Sequence, residues 1–425
     1  MLSSTDCVRR DIPNQTEVSA LCAGIAGPEQ RVRHPCGRHA IGPTGARPQL
    51  AGRKPGARDR VRTEDVQDQF PIHHSIDSRT KTDLEPVLPS RDVEWSMRVN
   101  AVEGYDRWLA LERVACCMCG STVGRPWRSG RDTEFKTCAN RFTFTRCTQC
   151  GHLYLAERPR AEDIPRIYDG YLTLNRLSAY YPSRLVSWVK DQTFDRYRMR
   201  HVLRRLSEHS TVLDIGAGAG RLLKLLQRLS KRDLRLYAND LTFAPAARAD
   251  LTEVGAQLLE GPIERCVTAV RFDAITAVHV IEHVSHPDKA FEWIAHHLHP
   301  EGVLYVETPD ADALQGRIFG DRWGMLHFPR HFNLFTKAKL AKLAERYGLT
   351  VVHHGNTTGA PAWNMSLRNA LEWDALTRGA SALDIFTYSN VATLGTFTLL
   401  DLMLLACGVA TSTQQMIAVK GGSGL

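Results

Sequence analysis

The chain has 425 residues, of which 43% are hydrophobic and 24% charged, and its formal net charge is +8. This length is too great for one ordinary domain and predicts two or three units. The composition is typical of a soluble globular protein and excludes a wholly disordered chain, while the mild positive charge gives only a modest electrostatic footprint for nucleic acid.

Residues 1–95 are predicted to be a disordered extension. Between Arg31 and Arg62 there are nine Lys or Arg against one acid, Asp59, in a stretch rich in Gly, Pro and Ala. Such a segment cannot bury enough apolar surface to offset its ordering entropy. The extension lacks the continuous apolar core of a secretory signal, and its early acidic residues argue against a transit peptide, so we expect a cytoplasmic protein. Met97 is an alternative start.

Two CxxCG knuckles, CCMCG at 116–120 and CTQCG at 147–151, hold most of the clustered cysteines. Two such turns can complete a tetrahedral four-thiolate site, which suits Zn²⁺. We therefore predict a zinc ribbon over residues 110–157, in which the ligands are Cys116, Cys119, Cys147 and Cys150. Protein fills all four positions, so the zinc is predicted to be structural. A redox-active C-x-x-C pair is the alternative, but it normally shows one motif beside a βαβ unit.

Residues 158–208 are predicted to be a helical cap or linker. The run from Arg184 to Arg205 holds seven Lys or Arg, interleaved with Asp191 and Asp195. This pattern favours a solvated helix face over a phosphate-binding surface.

A strand, a glycine-rich loop and a helix are predicted from STVLDIGAGAGRLLKLLQRL at 210–229. Gly216, Gly218 and Gly220 let the backbone approach a ligand, which then faces the helix N-terminus. Arg221 stands where the dinucleotide fingerprint has its third glycine, and Asp214 would repel a pyrophosphate. The loop therefore favours a cationic or zwitterionic ligand.

The next strand, LRLYAND, ends at Asp240, where a carboxylate can accept both hydroxyls of a ribose. Further strands are predicted over 272–284 and 302–310, followed by LTVVHH and QQMIAVKG, with helices at 287–298 and after Thr336. Alternating elements predict an α/β fold with a doubly wound, Rossmann-like, seven-stranded sheet over 209–425. Its ligand site should lie at the C-terminal strand ends.

VLDIGAGAG, the acid after the second strand, FDAI, HVIEHV and EGVLYVETP together resemble the class I S-adenosylmethionine-dependent methyltransferases over about residues 200–420. The EHV signature and HFPRHFNLF are similar to a branch that includes ubiquinone-type O-methyltransferases and enzymes of sugar, polysaccharide and natural-product pathways. Several members of that branch carry an N-terminal zinc ribbon and a Y-x-x-Y region, which Tyr168 and Tyr171 resemble.

The resemblance implies S-adenosylmethionine as cofactor, and a set of residues that contact it. Asp240 is expected to hold the ribose, and backbone groups of Pro262 and Ile263 the adenine, because the acid common in the family after Gly261 is replaced. The implied cofactor contacts are Asp214, Gly216, Ala217, Gly218, Gly220, Asp240, Leu241 and His279.

His283 is the first candidate for a catalytic base, and His331 the second, with His327 on the same loop. Two alternatives stay open for His283 and its neighbour Glu282. They could orient the entry to the following helix, or hold a divalent metal, as the corresponding residues do in certain ubiquinone-type relatives.

The most apolar stretch, residues 383–409, is interrupted by Asp384 and Asp401, whereas a spanning helix needs about twenty apolar residues in a row. We expect helices that cover the sheet or line an acceptor pocket, with peripheral membrane contact as the alternative.

The sequence thus favours methyl transfer to the oxygen or carbon of a small-molecule or sugar-like acceptor. A ribosomal-RNA methyltransferase is the first alternative, although HVIEHV differs from the Asn-Pro-Pro-Tyr type motif of enzymes that methylate exocyclic amines. A non-catalytic zinc-ribbon binding protein is the second. The acceptor and the oligomeric state are not specified by any motif.

Overall fold

The computed structural model describes residues 107–168, 188, 191–378, 385–386 and 390–421, without the side chains of 193–194 and 372–378. All of these residues belong to one compact unit of the chain, 85–425. The predicted extension 1–95, Met97 and Tyr171 lie outside the described residues.

Five short strands open the described chain. They are β1 (Leu111–Arg113), β2 (Gly124–Gly130), β3 (Phe142–Cys147), β4 (Leu153–Leu155) and β5 (Glu157–Pro159). Strands β1 and β5 form a two-stranded antiparallel sheet. In β3, the alternation of buried Phe142 and Phe144 with half-buried threonines matches the period of two that the sequence predicted.

The larger sheet has seven strands, which confirms the predicted Rossmann-like fold. The strands that follow along the chain are β6 (Thr211–Ile215), β7 (Arg235–Asp240), β8 (Gln257–Glu260), β9 (Phe272–Val278), β10 (Leu298–Pro309), β11 (Asn333–Leu334), β12 (Leu349–Thr357) and β13 (Thr413–Lys420). All except β11 form this sheet, in the order β12-β13-β10-β9-β6-β7-β8. Strand β13 is antiparallel to both of its neighbours, and the other pairs are parallel.

The described α-helices follow in chain order. They are α1 (Ile164–Ile167), α2 (Arg196–Leu203), α3 (Arg221–Ser230), α4 (Pro245–Glu253), α5 (Pro287–His297), α6 (Leu314–Phe319), α7 (Lys337–Arg346), α8 (Ala360–Arg378) and α9 (Val391–Ala406). Helix α3 buries Leu223, Leu225, Leu226 and Leu229 on one face. Helix α7 begins where Oγ1 of Thr336 accepts the backbone N–H of Lys339, as the sequence predicted.

Two predicted boundaries are wrong. The strand expected over 272–284 ends at Val278, because His279 takes a left-handed φ of 54°, which a strand cannot continue. The strand expected from residue 302 begins earlier, at Leu298, where the helix expected to reach that residue has already ended.

The post-strand segment of the large domain supplies a strand to the cysteine-bearing sheet. Strand β11 pairs antiparallel with β4, which gives a four-stranded sheet in the order β11-β4-β3-β2. Behind it, Phe328 packs on Phe144 with ring centroids 5.3 Å apart, and Phe332, Leu334 and Trp323 belong to the same core. Residues from both predicted domains therefore share one hydrophobic core.

Within the apolar stretch 383–409, residues 391–406 form α9. Its Asp401 is buried and accepts hydrogen bonds from Nε1 of Trp363 (2.8 Å) and the backbone N–H of Gly359 (2.7 Å). This acid therefore fastens α9 to α8. Among the described helices, none has both the length and the apolar character needed to cross a membrane.

Candidate active site

The glycine loop connects β6 to α3. Gly216, Gly218 and Gly220 all have positive φ, between 52° and 72°. A Cβ on Gly216 would lie 2.1 Å from Cγ2 of Val280, so this position requires glycine for conformation and for space. The loop after β6 is thereby packed directly on the turn after β9.

Asp214 lies beneath the loop at the end of β6. Its Oδ1 accepts a hydrogen bond of 2.7 Å from the hydroxyl of Thr276, and the residue is buried. Burial, with a smaller contribution from the charge of Asp240, raises the pKa of the Asp214 carboxyl to about 7. The carboxyl therefore changes charge near neutral pH.

Asp240 fastens the glycine loop to the end of β7. Its Oδ2 accepts the backbone N–H of Gly218 (2.9 Å) and its Oδ1 that of Leu241 (2.8 Å). Each oxygen keeps a further lone pair, which is what two ribose hydroxyls would require. Leu241 is half exposed, beside this carboxylate.

A cavity of about 170 Å³ lies beside the loop. Its wall includes Asp195, Arg198, Asp214, Gly216, Ala217 and Arg221. Pockets that enclose a whole drug-sized ligand measure about 300–1,000 Å³, so this cavity fits one end of such a ligand. Charges of both signs line it, which suits a zwitterionic group.

Arg198 was not singled out by the sequence analysis. Its Nε donates to Oε1 of Glu307 at 2.8 Å, and Nη2 makes a further close contact with Oε2 of the same, fully buried carboxylate. Burial would raise the pKa of Glu307, but the Arg198 charge outweighs it and lowers the pKa. The expectation that this basic run forms a solvated helix face is therefore wrong at Arg198.

His279 and Glu282 occupy the turn that follows β9. The backbone N–H of His279 donates to the carbonyl of Glu307 (2.9 Å), and its side chain, 43% exposed, faces Oε1 of Glu282 at 3.3 Å. Glu282 is buried and accepts the hydroxyl of Thr308 at 2.8 Å, while its carbonyl accepts the backbone N–H of Phe332 at 2.8 Å. Glu282 thus orients the turn.

The candidate bases His283 and His331 lie together, and His327 joins them. One ring nitrogen from each lies within 4.8 Å of the others. The rings of His283 and His331 meet edge to face, with centroids 4.6 Å apart. Burial and the neighbouring histidines hold the pKa of both rings well below the usual value, so both are neutral at pH 7.

Residues of the cysteine-bearing lobe, the part of the chain that carries β1 to β5, support this histidine group. Both terminal nitrogens of Arg330 donate to the carboxylate of Asp132 at 3.0 Å, in a fully buried ion pair. The guanidinium carbon of Arg330 lies 4.3 Å from the ring centroid of Phe135. No spacing rule connects residues this far apart in the chain, so neither charged partner could be predicted from the sequence.

The four predicted metal ligands also converge. Sγ of Cys116 lies 3.6 Å from that of Cys150, Sγ of Cys119 lies 3.5 Å from that of Cys147, and all four fall within 4.8 Å. Zn–S bonds of about 2.3 Å in a tetrahedron place sulfurs about 3.8 Å apart, so the geometry fits zinc. Gly120 and Gly151 follow the second cysteine of each knuckle at φ of 76° and 78°, which closes both turns.

Comparison with known proteins agrees with this geometry. The sequence profile of a methyltransferase domain matches residues 192–354. A ubiquinone biosynthesis O-methyltransferase of Caulobacter vibrioides is 28% identical over 148 residues, which are 31% of this chain and 53% of that protein. One of Aeromonas salmonicida is 26% identical over 195 residues, 43% of this chain and 76% of that protein.

The chain therefore spans about half the length of the Caulobacter relative. Among solved structures, a putative sarcosine dimethylglycine methyltransferase from Galdieria sulphuraria aligns with 16% identity and a TM-score of 0.39, over 56% of this chain and 88% of that one. That likeness is too weak to carry an argument. The matched profile, the two relatives and the seven-stranded sheet place a class I S-adenosylmethionine-dependent methyltransferase domain in this chain.

Proposed function

We propose that this protein transfers a methyl group from S-adenosylmethionine to an oxygen or carbon of a small-molecule or sugar-like acceptor. The observation that carries the proposal is the contact between Gly216 and Val280. It brings the cofactor loop against the turn that leads to His283. Donor and acceptor can therefore meet at one edge of the sheet, and the names of both relatives favour oxygen as the methylated atom.

The residues at the cofactor side suit each part of the donor. S-adenosylmethionine supplies the methyl carbon and the leaving group, so the protein has to align it with the acceptor. We assign the ribose hydroxyls of the donor to Asp240, and its methionine part to Asp214 and residues 216–218. Leu241 and His279 are assigned to the outer edge of the bound donor. Adenine recognition through Pro262 and Ile263 stays a prediction.

We assign acceptor handling to His283 and His331. The Nδ1 of His331 lies 2.8 Å from the carbonyl oxygen of Met325, which can only accept, so Nδ1 carries the hydrogen and Nε2 the lone pair. A neutral ring with a fixed lone pair can take a proton from a hydroxyl as the methyl group arrives.

We propose that the four cysteines hold a structural Zn²⁺, as the sulfur distances suggest. The ion would have no open position, so it would take no part in methyl transfer. Its role would be to fix the lobe that carries Asp132 and Phe135.

A small acceptor is favoured over nucleic acid. Within the basic run, Arg198 contacts Glu307 and Asp195 and lines the cavity beside the glycine loop, so it does not contribute to an outer phosphate-binding surface. The cytoplasmic location is likewise a prediction from the sequence.

Thermal unfolding with S-adenosylhomocysteine tests the donor site, because a ligand that binds only the folded state raises its stability. We expect a saturable increase in Tm, lost in Asp240→Ala and retained in Asp233→Ala, whose side chain is 78% exposed. An unchanged Tm at saturating ligand in the folded wild type would refute the proposal of a methyltransferase and favour a non-catalytic binding protein. Methyl transfer to RNA that exceeds transfer to small hydroxyl acceptors would favour the ribosomal-RNA alternative.

A further inference from the structure

The three clustered histidines come from two segments that face each other. His283 follows β9, whereas His327 and His331 stand at the two ends of the turn HFPRH. His331 is buried, and the other two are partly accessible. The group therefore has one side closed by protein and one side reachable from solvent.

Each ring has a polar partner on one nitrogen. Nδ1 of His331 donates to the carbonyl of Met325 (2.8 Å), and Nδ1 of His283 lies 3.0 Å from the hydroxyl of Tyr168. Nε2 of His327 lies 3.1 Å from a carboxylate oxygen of Glu134. Histidines that bind metals commonly engage their second nitrogen with a carboxylate, carbonyl or other polar group, which fixes the ring and its tautomer.

Two ring nitrogens face each other within this group. They are Nε2 of His331 and Nδ1 of His327, which lie 3.4 Å apart in a hydrogen-bond contact. A metal ion bound by both nitrogens would replace the hydrogen that one ring donates to the other there. Two nitrogens on a tetrahedral metal, each bonded at about 2.0–2.1 Å, lie about 3.4 Å apart.

The surrounding charge also suits a divalent cation. Glu134 faces His327, and Oε1 of the buried Glu282 lies 3.9 Å from Nε2 of His331. The nearby Arg330 is already neutralised by Asp132. The carboxylates of Glu134 and Glu282 lie beside the three histidines, where they would offset part of the charge of a divalent cation.

We propose that His283, His327 and His331 bind a divalent transition-metal ion such as Zn²⁺, with an open coordination position on the solvent side. Imidazole ligands suit Zn²⁺ and its neighbours in the transition series rather than Mg²⁺. Three protein ligands and one open position form the arrangement of a metal that acts on a substrate. The site is chemically distinct from the four-thiolate group.

This ligand set differs from the pair of Glu282 and His283 considered from the sequence. Glu282 accepts the Thr308 hydroxyl and faces His279, and it does not belong to the group of three side chains whose donor atoms all lie within 4.8 Å of one another. Its carboxylate would balance the charge of the metal. The ligands that replace it come from the turn HFPRH, between α6 and β11.

The open position would take the oxygen of the acceptor. This assignment rests on the proposed function. A hydroxyl bound to such an ion loses its proton at lower pH than a free one. Coordination of the acceptor hydroxyl by the metal would then replace the direct transfer of its proton to His283 or His331. Binding of the metal itself does not depend on which acceptor is used.

Cobalt titration of the full chain tests the site. The four-thiolate group is first filled with one equivalent of Zn²⁺, and Co²⁺ is then added while visible absorption is followed. We expect one further equivalent to bind with d–d absorption and no thiolate charge-transfer band. His331→Ala should abolish this binding, and Glu134→Gln, which keeps the ligands, should weaken it by about 10–100-fold. His296→Ala, on the exposed side of α5, is the matched control and should bind as the wild type does.

A wild type that binds no Co²⁺ after zinc loading, or an equal affinity in His331→Ala, would overturn the proposal. The first result would leave the 3.4 Å contact between His327 and His331 as a hydrogen bond between the two rings. Stabilisation by S-adenosylhomocysteine is measured on the same samples as a check of folding. Cobalt binding without that stabilisation would refute the proposed function and leave the metal site standing.

Discussion

At the scale of single residues, Asp214 and Asp240 show how the same side chain type serves two tasks. Asp240 holds the glycine loop through two backbone N–H groups, whereas Asp214 contacts a threonine hydroxyl in a buried position. Their spacing from the glycines predicted that both would lie near the loop. The sequence contained no signal for Arg198, because its partner Glu307 lies on a distant strand and ordinary helix patterns treat a basic residue as exposed.

The raised pKa of Asp214 makes stability depend on pH. Its folded pKa of about 7 exceeds the usual value of 3.8, so the folded state binds the proton more tightly, and this stabilisation is lost progressively as pH rises from 3.8 to about 7. We expect Asp214→Asn to gain about 2–3 kcal/mol relative to wild type between pH 5 and 8, at about 1.4 kcal/mol per pH unit. Urea unfolding at both pH values measures the difference, with Asp233→Asn as an exposed control. Parallel curves for Asp214→Asn and wild type would contradict this.

At the scale of elements, the junction between β6 and α3 is the most sharply determined part of the fold. An apolar strand, three glycines and an amphipathic helix predicted it correctly. The turn after β9 was mistaken for strand because Val280, Ile281 and Val284 continue the apolar residues of the strand, and the left-handed His279 has no signature in the sequence. Local patterns thus identified the elements, while the ends depended on tertiary contacts.

Two glycine-to-alanine substitutions distinguish a glycine that the loop conformation requires from a glycine that the fold does not require. Gly216→Ala should abolish stabilisation by S-adenosylhomocysteine and lower Tm, because φ is 69° and the new methyl would meet Val280. Gly395→Ala, within α9, meets nothing within 4 Å and should raise stability by up to about 1 kcal/mol. Thermal unfolding with and without ligand measures both. A Gly216→Ala protein with wild-type ligand response would show that the loop does not need this conformation.

At the scale of the whole molecule, Asn333 connects the two lobes. Its side chain accepts from the Cys117 thiol (3.4 Å), lies 3.1 Å from Nε2 of His152 and donates to the carbonyl of Val284 (3.0 Å). The sequence predicted two separate units here because each has its own motif. The pairing of β11 with β4 was beyond prediction, since the two strands are short and far apart in the chain.

This connection predicts the effect of losing the proposed zinc. Cys116→Ser should remove the bound zinc and lower methyl transfer more than it lowers cofactor binding, because β4 supports the segment that carries His331. Zinc content, Tm shift by S-adenosylhomocysteine and turnover are compared with those of Cys407→Ser, whose thiol is exposed. Loss of the ligand shift in a folded Cys116→Ser protein would contradict this division of roles.

The buried pair of Arg330 and Asp132 has a consequence for how such a protein can change over time. Each charge is acceptable in the interior only while the other is present, and removal of one partner of such a pair typically costs about 3–5 kcal/mol. The cysteine-bearing lobe therefore cannot be deleted, or exchanged for that of a relative, without a matching change in the turn between α6 and β11. Among related proteins, positions 132 and 330 should therefore vary together or not at all.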